Sequence, residues 1–303
     1  EYDPKKGGSV LCAPQAVKYA FIQAHATQFP VSMMCRLFQL SRSGLYAARN
    51  RPASAHSRKD LALRTRIEQL HVQQKHAPGV IKTWHLLRAE GLVCGRNRVA
   101  RLRRIAGIVT SRTVRFRQMR SYQKTEPPAP NLVQRQFDVK APNSVWVGDI
   151  THIPTRKGPL YLAAYLDLYS RRVIGWATST KQTAELVVTA LHAGIKQRRP
   201  SRGLICHTDQ GAQFGSTVYR NHLHDHGITP SMSRRGNCHD NAVAESFFSS
   251  LKNELTHNFS FENVDDALSA ITDYIEVYYN RQRLHQTLGY RTPAQFEAHQ
   301  MCT

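Results

Sequence analysis

The chain has 303 residues and carries 42 Lys+Arg against 21 Asp+Glu, a formal net charge of +21. That length suits about two domains, each able to bury its own core. No apolar run approaches the roughly 18 residues needed to cross a bilayer, and six scattered cysteines without a Cys-x-x-Cys pair exclude a disulfide framework and favour reduced thiols in a cytoplasm.

Charge is unevenly placed. Residues 1–130 hold 24 basic and 6 acidic side chains, net +18; residues 131–303 hold 18 and 15, net +3. A basic block that keeps regularly spaced apolar residues reads as a folded nucleic-acid binder, with a membrane-surface or simply cationic domain as the alternative.

Residues 1–14 open with Glu1-Tyr2-Asp3-Pro4-Lys5-Lys6-Gly7-Gly8, which has no signal-peptide pattern and reads as an upstream join or a tag. Residues 15–56 form a first helix-turn-helix. Val31–Phe38 gives a short apolar-faced helix, Gln39-Leu40-Ser41 turns the chain, and Arg42–Arg49 starts a second helix with Ser41 as its N-cap. The rhythm recurs over 57–122. Trp84, Leu86, Leu87 and Leu92 precede a turn through Cys94-Gly95-Arg96-Asn97, and a helix follows from Arg98. There Val99, Leu102, Ile105 and Ala106 are expected to share one face. Arg98, Arg101 and Arg104 line another, suited to phosphate and major-groove contact, with Arg103 nearer the buried flank. An ordinary solvated face is the alternative. Arg42 joins these as a candidate DNA contact.

Residues 123–140, with Thr125-Glu126-Pro127-Pro128-Ala129-Pro130-Asn131, form a Pro-rich linker. From 141 the period becomes strand-like. Val145–Ile153 is a strand, Pro154–Pro159 a turn, Leu160–Asp167 a second strand and Val173–Ala177 a third. Thr183–Gln197 reads as a helix capped by Thr183. Gly203–His207 is a short buried strand, followed by a helix near Ser216–His226, a strand near Ile228–Ser231, and a helix from about Asn241 to Leu255. This pattern gives an α/β core over 141–256, in the element order of a ribonuclease H-like fold, behind an all-α helix-turn-helix region. Residues 257–303 form a helical closing segment.

Three acids in this core attract attention. Asp149 lies mid-strand among apolar neighbours, where an acid is costly without a partner. Asp209 follows the buried strand, at the edge where α/β ligands bind, and Glu245 lies one turn into its helix. If the fold converges them, an oxygen-only cluster suits Mg²⁺ or Mn²⁺ rather than zinc. By spacing alone, three unrelated surface acids are the default reading. Their neighbours carry more. Val145-Trp146-Val147-Gly148-Asp149-Ile150-Thr151 resembles the first catalytic strand of the DDE transposases and integrases. His207-Thr208-Asp209-Gln210-Gly211-Ala212-Gln213-Phe214 resembles the segment around their second aspartate, and Asp240–Phe248 their glutamate helix. Thirty-five residues separate Asp209 from Glu245, the interval that names the D,D(35)E class. The tail Tyr278-Tyr279-Asn280-Arg281-Gln282-Arg283-Leu284-His285-Gln286-Thr287-Leu288-Gly289-Tyr290-Arg291-Thr292-Pro293 is similar to the close of insertion-sequence-three family transposases, second-frame product.

The resemblance implies metal-dependent phosphoryl transfer at a DNA backbone, with two Mg²⁺ ions for which Mn²⁺ substitutes. It gives Asp149 to both ions, Asp209 to one and Glu245 to the other, and it makes Lys252, seven residues past Glu245, a DNA-contacting base. The implied partners are element terminal repeats, target DNA, a second copy of the chain and the upstream-frame product. Arg234 and Arg235, in the loop before the glutamate helix, join the DNA-contact candidates beside a plain surface reading. Asp167 reads as a turn partner for Arg171 or Arg172. His222, His224 and His226 look like a metal run, but no acid or cysteine lies at ligand spacing, so they read as non-ligands; adjacent Cys206-His207 and Cys238-His239 lack zinc spacing as well. Two rivals remain: a non-catalytic DNA binder that keeps the fold, and a ribonuclease-H-type nuclease that cuts without joining.

Overall fold

A computed structural model of the chain describes residues 13–50, 54–110, 128–234, 238–256 and 261–300. Arg235 lies outside these residues, as does the opening stretch that reads as a join, apart from residues 13 and 14. Two compact units divide between Leu63 and Arg64.

In the first unit α1 (Gln15–Ala24), α2 (Val31–Leu37) and α3 (Arg42–Asn50) enclose a small core of Ile22, Met34, Cys35, Phe38 and Leu45. The Ser41 hydroxyl accepts the Gly44 N–H at 3.3 Å, an N-cap bond that fixes where α3 begins. Arg42, in the first turn of α3, is exposed. The helix α4 (Ala55–Gln73) runs through the division between the units.

In the second unit α5 (Val80–Ala89) and α6 (Arg96–Ile105) repeat the helix-turn-helix rhythm. Their contact face is narrower than the apolar pattern suggests. Val99, Leu102 and Arg103 are buried, whereas Ile105 is 57% exposed. Positions 99, 102, 103 and 106 are the i, i+3, i+4, i+7 set of one helical face, and 105 falls off it. Arg103 belongs inside because its guanidinium donates to the Thr83 hydroxyl of α5 at 2.9 Å. Arg101 and Arg104 stay exposed and Arg98 is half-buried. Arg88 and Arg96 lie over the Trp84 ring, at 4.9 and 4.7 Å.

The core is a five-stranded sheet in the order β3-β2-β1-β4-β5. It comprises β1 (Val145–Thr155), β2 (Gly158–Asp167), β3 (Val173–Ser179), β4 (Ile205–Thr208) and β5 (Thr229–Met232). The first three form an antiparallel meander, and β4 and β5 join parallel to β1. This is the ribonuclease H-like order that the sequence pattern implies. The expected turn from Pro154 to Pro159 is shorter: both prolines lie in the strands and face each other across the β1–β2 ladder. That end of β1 extends beyond its pairing with β4, which covers only Val145–Val147, so the missing Pro154 N–H costs no bond on that side.

Helices cover both faces. On one, α7 (Ala184–Arg198) and α8 (Thr217–Asp225) pack around Trp146, Ile150, Tyr165, Leu191 and Tyr219. Gly175 of β3 permits this, since a Cβ there would sit 2.4 Å from the Ala190 carbonyl oxygen of α7. On the other face α9 (Ala242–Leu251) and α10 (Val264–Thr272) pack around Val147, Ile153, Phe247 and Ile271. Residues 252–256 continue α9 as a π-helical turn, and 273–279 continue α10 likewise, so the glutamate helix keeps α-helical register only as far as Leu251. A last helix, α11 (Pro293–Gln300), closes the chain.

No helix or strand forms over 128–144. That stretch nevertheless lies against the core: Val133 is buried in the α9 cluster, and the Leu132 N–H donates to the Ser231 hydroxyl at 2.9 Å.

Candidate active site

Strand parity fixes where the first carboxylate points. Trp146 and Ile150 belong to the α7–α8 core, Val147 and Ile153 to the α9 core. Asp149 shares the parity of 147 and 153 and so projects from β1 toward the α9 face. It is 6% exposed, and one carboxylate oxygen accepts the Ile150 N–H at 2.8 Å.

Asp209 arrives beside it through the parallel pairing. Val147 is opposite His207, so Asp149 and Asp209 each lie two residues past the last paired position of two strands that run roughly 4.8 Å apart. There β4 has ended, and the Asp209 carboxylate accepts the Gly211 N–H at 2.9 Å.

The head of α9, which carries Glu245 one turn in, is tied to the same strand. Asn241, its N-cap residue, donates from its side chain to the carbonyl oxygen of Gly148 at 3.2 Å. Gly148 itself admits no side chain: a Cβ would lie 2.4 Å from the Tyr165 ring opposite it. Lys252, at the C-terminal end of α9, feels the Asp149 charge; burial lowers its pKa and Asp149 partly restores it. The parallel register thus sets Asp149 and Asp209 at the same level, the head of the helix that carries Glu245 is tied to β1, and Lys252 lies close enough to feel Asp149.

Several groups that build this site carried no special weight in the sequence. Asp240 is fully buried and gathers Arg234, Arg135 and Asn131. Arg234 donates to it from Nε at 2.9 Å and from its backbone N–H at 3.1 Å, Arg135 from Nε at 2.9 Å, and Asn131 from Nδ2 at 2.9 Å. Hydrogen bonds from Arg234, and then from Arg135, hold its carboxyl well below the ordinary range despite the cost of burial. Arg234, a candidate DNA contact, therefore anchors the turn that starts the glutamate helix.

The tail clamps the other end of that helix. Arg283 donates to the Glu254 carboxylate at 2.8–3.0 Å and to the Ser250 hydroxyl at 2.9 Å. The Tyr274 hydroxyl also donates to Glu254, at 2.8 Å. Asn280 accepts from the Val173 N–H and donates to its carbonyl, both at 3.0 Å, acting as an extra rung on β3. Glu297 binds Arg172, Arg198 and Ser170. In the sequence, 278–293 stands out only by its similarity to the close of the insertion-sequence-three family transposases, and no periodicity marks it as a brace.

Asp167 is part of this brace and not of the carboxylate cluster. Its carboxylate accepts the Asn143 and Tyr169 N–H groups at 2.9 and 3.0 Å, and burial raises its pKa. Its backbone pairs with Arg171 and Arg172, as a turn residue should, but the cation near its carboxylate is Arg198, at 3.8 Å.

The helix-turn-helix of the second unit meets the tail directly. His85 of α5 stacks on Tyr290 with ring centroids 4.1 Å apart, and the Tyr278 hydroxyl donates to the Gln74 carbonyl at 3.1 Å.

Comparison with known proteins bears on the whole chain. Residues 139–238 match an integrase core domain family, 226–293 match a second integrase core domain family, and 58–116 match an HTH-like domain. The transposase InsF for insertion sequence IS3A of Escherichia coli is 35% identical over 283 residues, 93% of this chain and 98% of that protein. The chain belongs to the IS3 family of transposases. An insertion element IS600 protein of 31 kDa from Shigella sonnei is 39% identical, over 88% of this chain and 99% of its own length. A transposase for insertion sequence IS904 from Lactococcus lactis is 37% identical, over 78% and 93%. Among solved structures, the simian T-cell lymphotropic virus intasome is 18% identical with a TM-score of 0.43, covering 70% of this chain and 73% of that one. The HTLV-2 integrase catalytic core, in complex with magnesium, is 20% identical with a TM-score of 0.40, over 51% and 96%. On the family matches, this IS3-family transposase carries an integrase catalytic core preceded by an HTH-like domain. No helix among its described residues is long and apolar enough to cross a membrane.

Proposed function

We propose that this transposase cuts and joins DNA with Asp149, Asp209 and Glu245 as its catalytic carboxylates. The observation that carries the reading is the register of β1 and β4, two residues before both aspartates, combined with the Asn241 bond that ties the glutamate helix to Gly148. Three carboxylates without imidazole or thiolate form a donor set for Mg²⁺, or Mn²⁺ in its place. Asp149, Asp209 and Glu245 would hold two such ions between them, and when bound the ions would stabilise the charge on the attacking and leaving oxygens of an in-line displacement.

The chain's own groups fix geometry. The Gly211 N–H orients Asp209, the Ile150 N–H orients Asp149, and Asp240 and Arg283 hold the two ends of the glutamate helix. In the first reaction a water oxygen attacks the phosphodiester at the element end and the 3′-oxygen leaves as a hydroxyl. In the second, that hydroxyl attacks a target phosphodiester and displaces its 3′-oxygen. No protein nucleophile takes part.

Arg98, Arg101 and Arg104, with Arg42, Arg235 and Lys252, contact DNA, and Arg234 does so only with the face it does not give to Asp240. Joining two element ends calls for at least a dimer on terminal repeats and target, with the upstream-frame product as a further partner. Buried free thiols at Cys35 and Cys206 suit a reducing bacterial cytoplasm, at the nucleoid.

A gel assay with a labelled element end separates binding, cutting and joining. Asp149→Asn, Asp209→Asn and Glu245→Gln are each expected to abolish cutting and joining in Mg²⁺ while end binding persists. Near-normal joining by any one of them overturns the assignment.

A further inference from the structure

On the α7–α8 face of the sheet, away from the carboxylates, three histidines from two helices converge. His192 lies on α7, His222 on α8 and His226 at the C-cap of α8. One ring nitrogen of each lies within 4.8 Å of those of the other two. The ring centroids are 4.5 Å apart for His222 and His226, 5.7 Å for His192 and His222, and 6.4 Å for His192 and His226.

We propose that His192, His222 and His226 form a binding site for a zinc-class divalent cation that ties α7 to α8. Two further observations support it. His222 Nε2 is buried and has no hydrogen-bond partner, an arrangement that is costly unless something else fills the role. His226 Nδ1 lies 2.9 Å from the His222 carbonyl oxygen. As the donor to it, Nδ1 leaves Nε2 with its lone pair, the second-shell pattern that orients metal-ligating imidazoles.

An imidazole-only set selects zinc, copper, nickel or cobalt over magnesium. Donors on a tetrahedral zinc ion stand roughly 3.3 Å apart, given Zn–N of about 2.0–2.1 Å, so small side-chain rotations close the present spread. Lys196 and Arg199 line the groove beside His192 and His226. They oppose the charge of a cation and favour an anion at the open fourth position. His224, the middle member of the sequence run, points elsewhere: its side chain is 90% exposed. The third ligand comes instead from a helix thirty residues earlier, which sequence spacing cannot show.

The test uses the full chain carrying Asp149→Asn, Asp209→Asn and Glu245→Gln, so that carboxylate chelation is removed and the outcome does not depend on the catalytic reading. After chelator treatment, equilibrium dialysis against ZnCl₂ and a thermal melt are measured. The expected result is one more zinc per chain, and a higher Tm, than when His192→Asn or His222→Asn is added. Cobalt in place of zinc should give tetrahedral visible absorption that both variants lose. His192 is exposed, so His192→Asn stays folded and keeps the test decisive if His222→Asn does not. Zinc uptake unchanged by His192→Asn, or matched by Mg²⁺, overturns the proposal.

Discussion

Replacing Arg283 by Met leaves Glu254 buried without its cation. Glu254 is 7% exposed at the side chain and Arg283 14%, so solvent screens the pair little. Two unit charges about 4 Å apart attract by roughly 4 kcal/mol at an effective dielectric of 20, and desolvating them costs several kcal/mol per ion. The intact pair is therefore close to neutral for stability, and the loss falls on breaking it. Removing one partner of such a pair costs about 3–5 kcal/mol. The Tyr274 hydroxyl still donates to Glu254, which places Arg283→Met toward the lower end of that range. Urea denaturation at pH 7 measures it. Adding Glu254→Gln to Arg283→Met should recover part of the stability, because an uncharged amide tolerates the same site; the double-mutant cycle then shows a coupling of at least about 1 kcal/mol. Ser250 and Glu254 lie on the helix and turn that follow Glu245, so joining should fall in the single variant even at temperatures where it stays folded. A loss below about 1 kcal/mol, with no coupling, would refute the clamp.

Other outcomes follow from the same structure. Gly148→Ala drives a Cβ into the Tyr165 ring and should destabilise by about 1–3 kcal/mol, read as a shift in the denaturation midpoint. Burial lowers the pKa of His71 to about 4 and of His285 to about 2. Because both folded-state values lie below the unfolded value near 6.5, the unfolded chain binds more protons, and stability present above pH 6.5 is lost as pH falls toward 4. A urea midpoint that does not move between pH 7 and pH 5 contradicts this; His285→Asn should flatten the dependence. DNA binding should weaken steeply with salt, and Arg101→Ala with Arg104→Ala should reduce the slope of log K against log salt by about 0.9 for each phosphate left unneutralised. An unchanged slope counts against the arginine stripe.

The sequence by itself determined the element order, because periods of two and of 3.6 are local properties. The meander of β1 to β3, the N-cap at Ser41 and the apolar seam at Val99 and Leu102 were all legible for that reason. The motifs around Asp149, Asp209 and Glu245 were legible too, since each lies within one contiguous stretch. What brings the aspartates level is the parallel register of Val147 with His207, a pairing between strands sixty residues apart, and no local pattern encodes it. The same holds for Asp240 drawing in Arg135 from a segment that reads as linker, for Arg283 bracing the glutamate helix, and for His192 meeting His222 and His226. Long-range polar contacts have no period. They exist only after apolar burial has packed the helices on the sheet, which is why tertiary structure alone decided them.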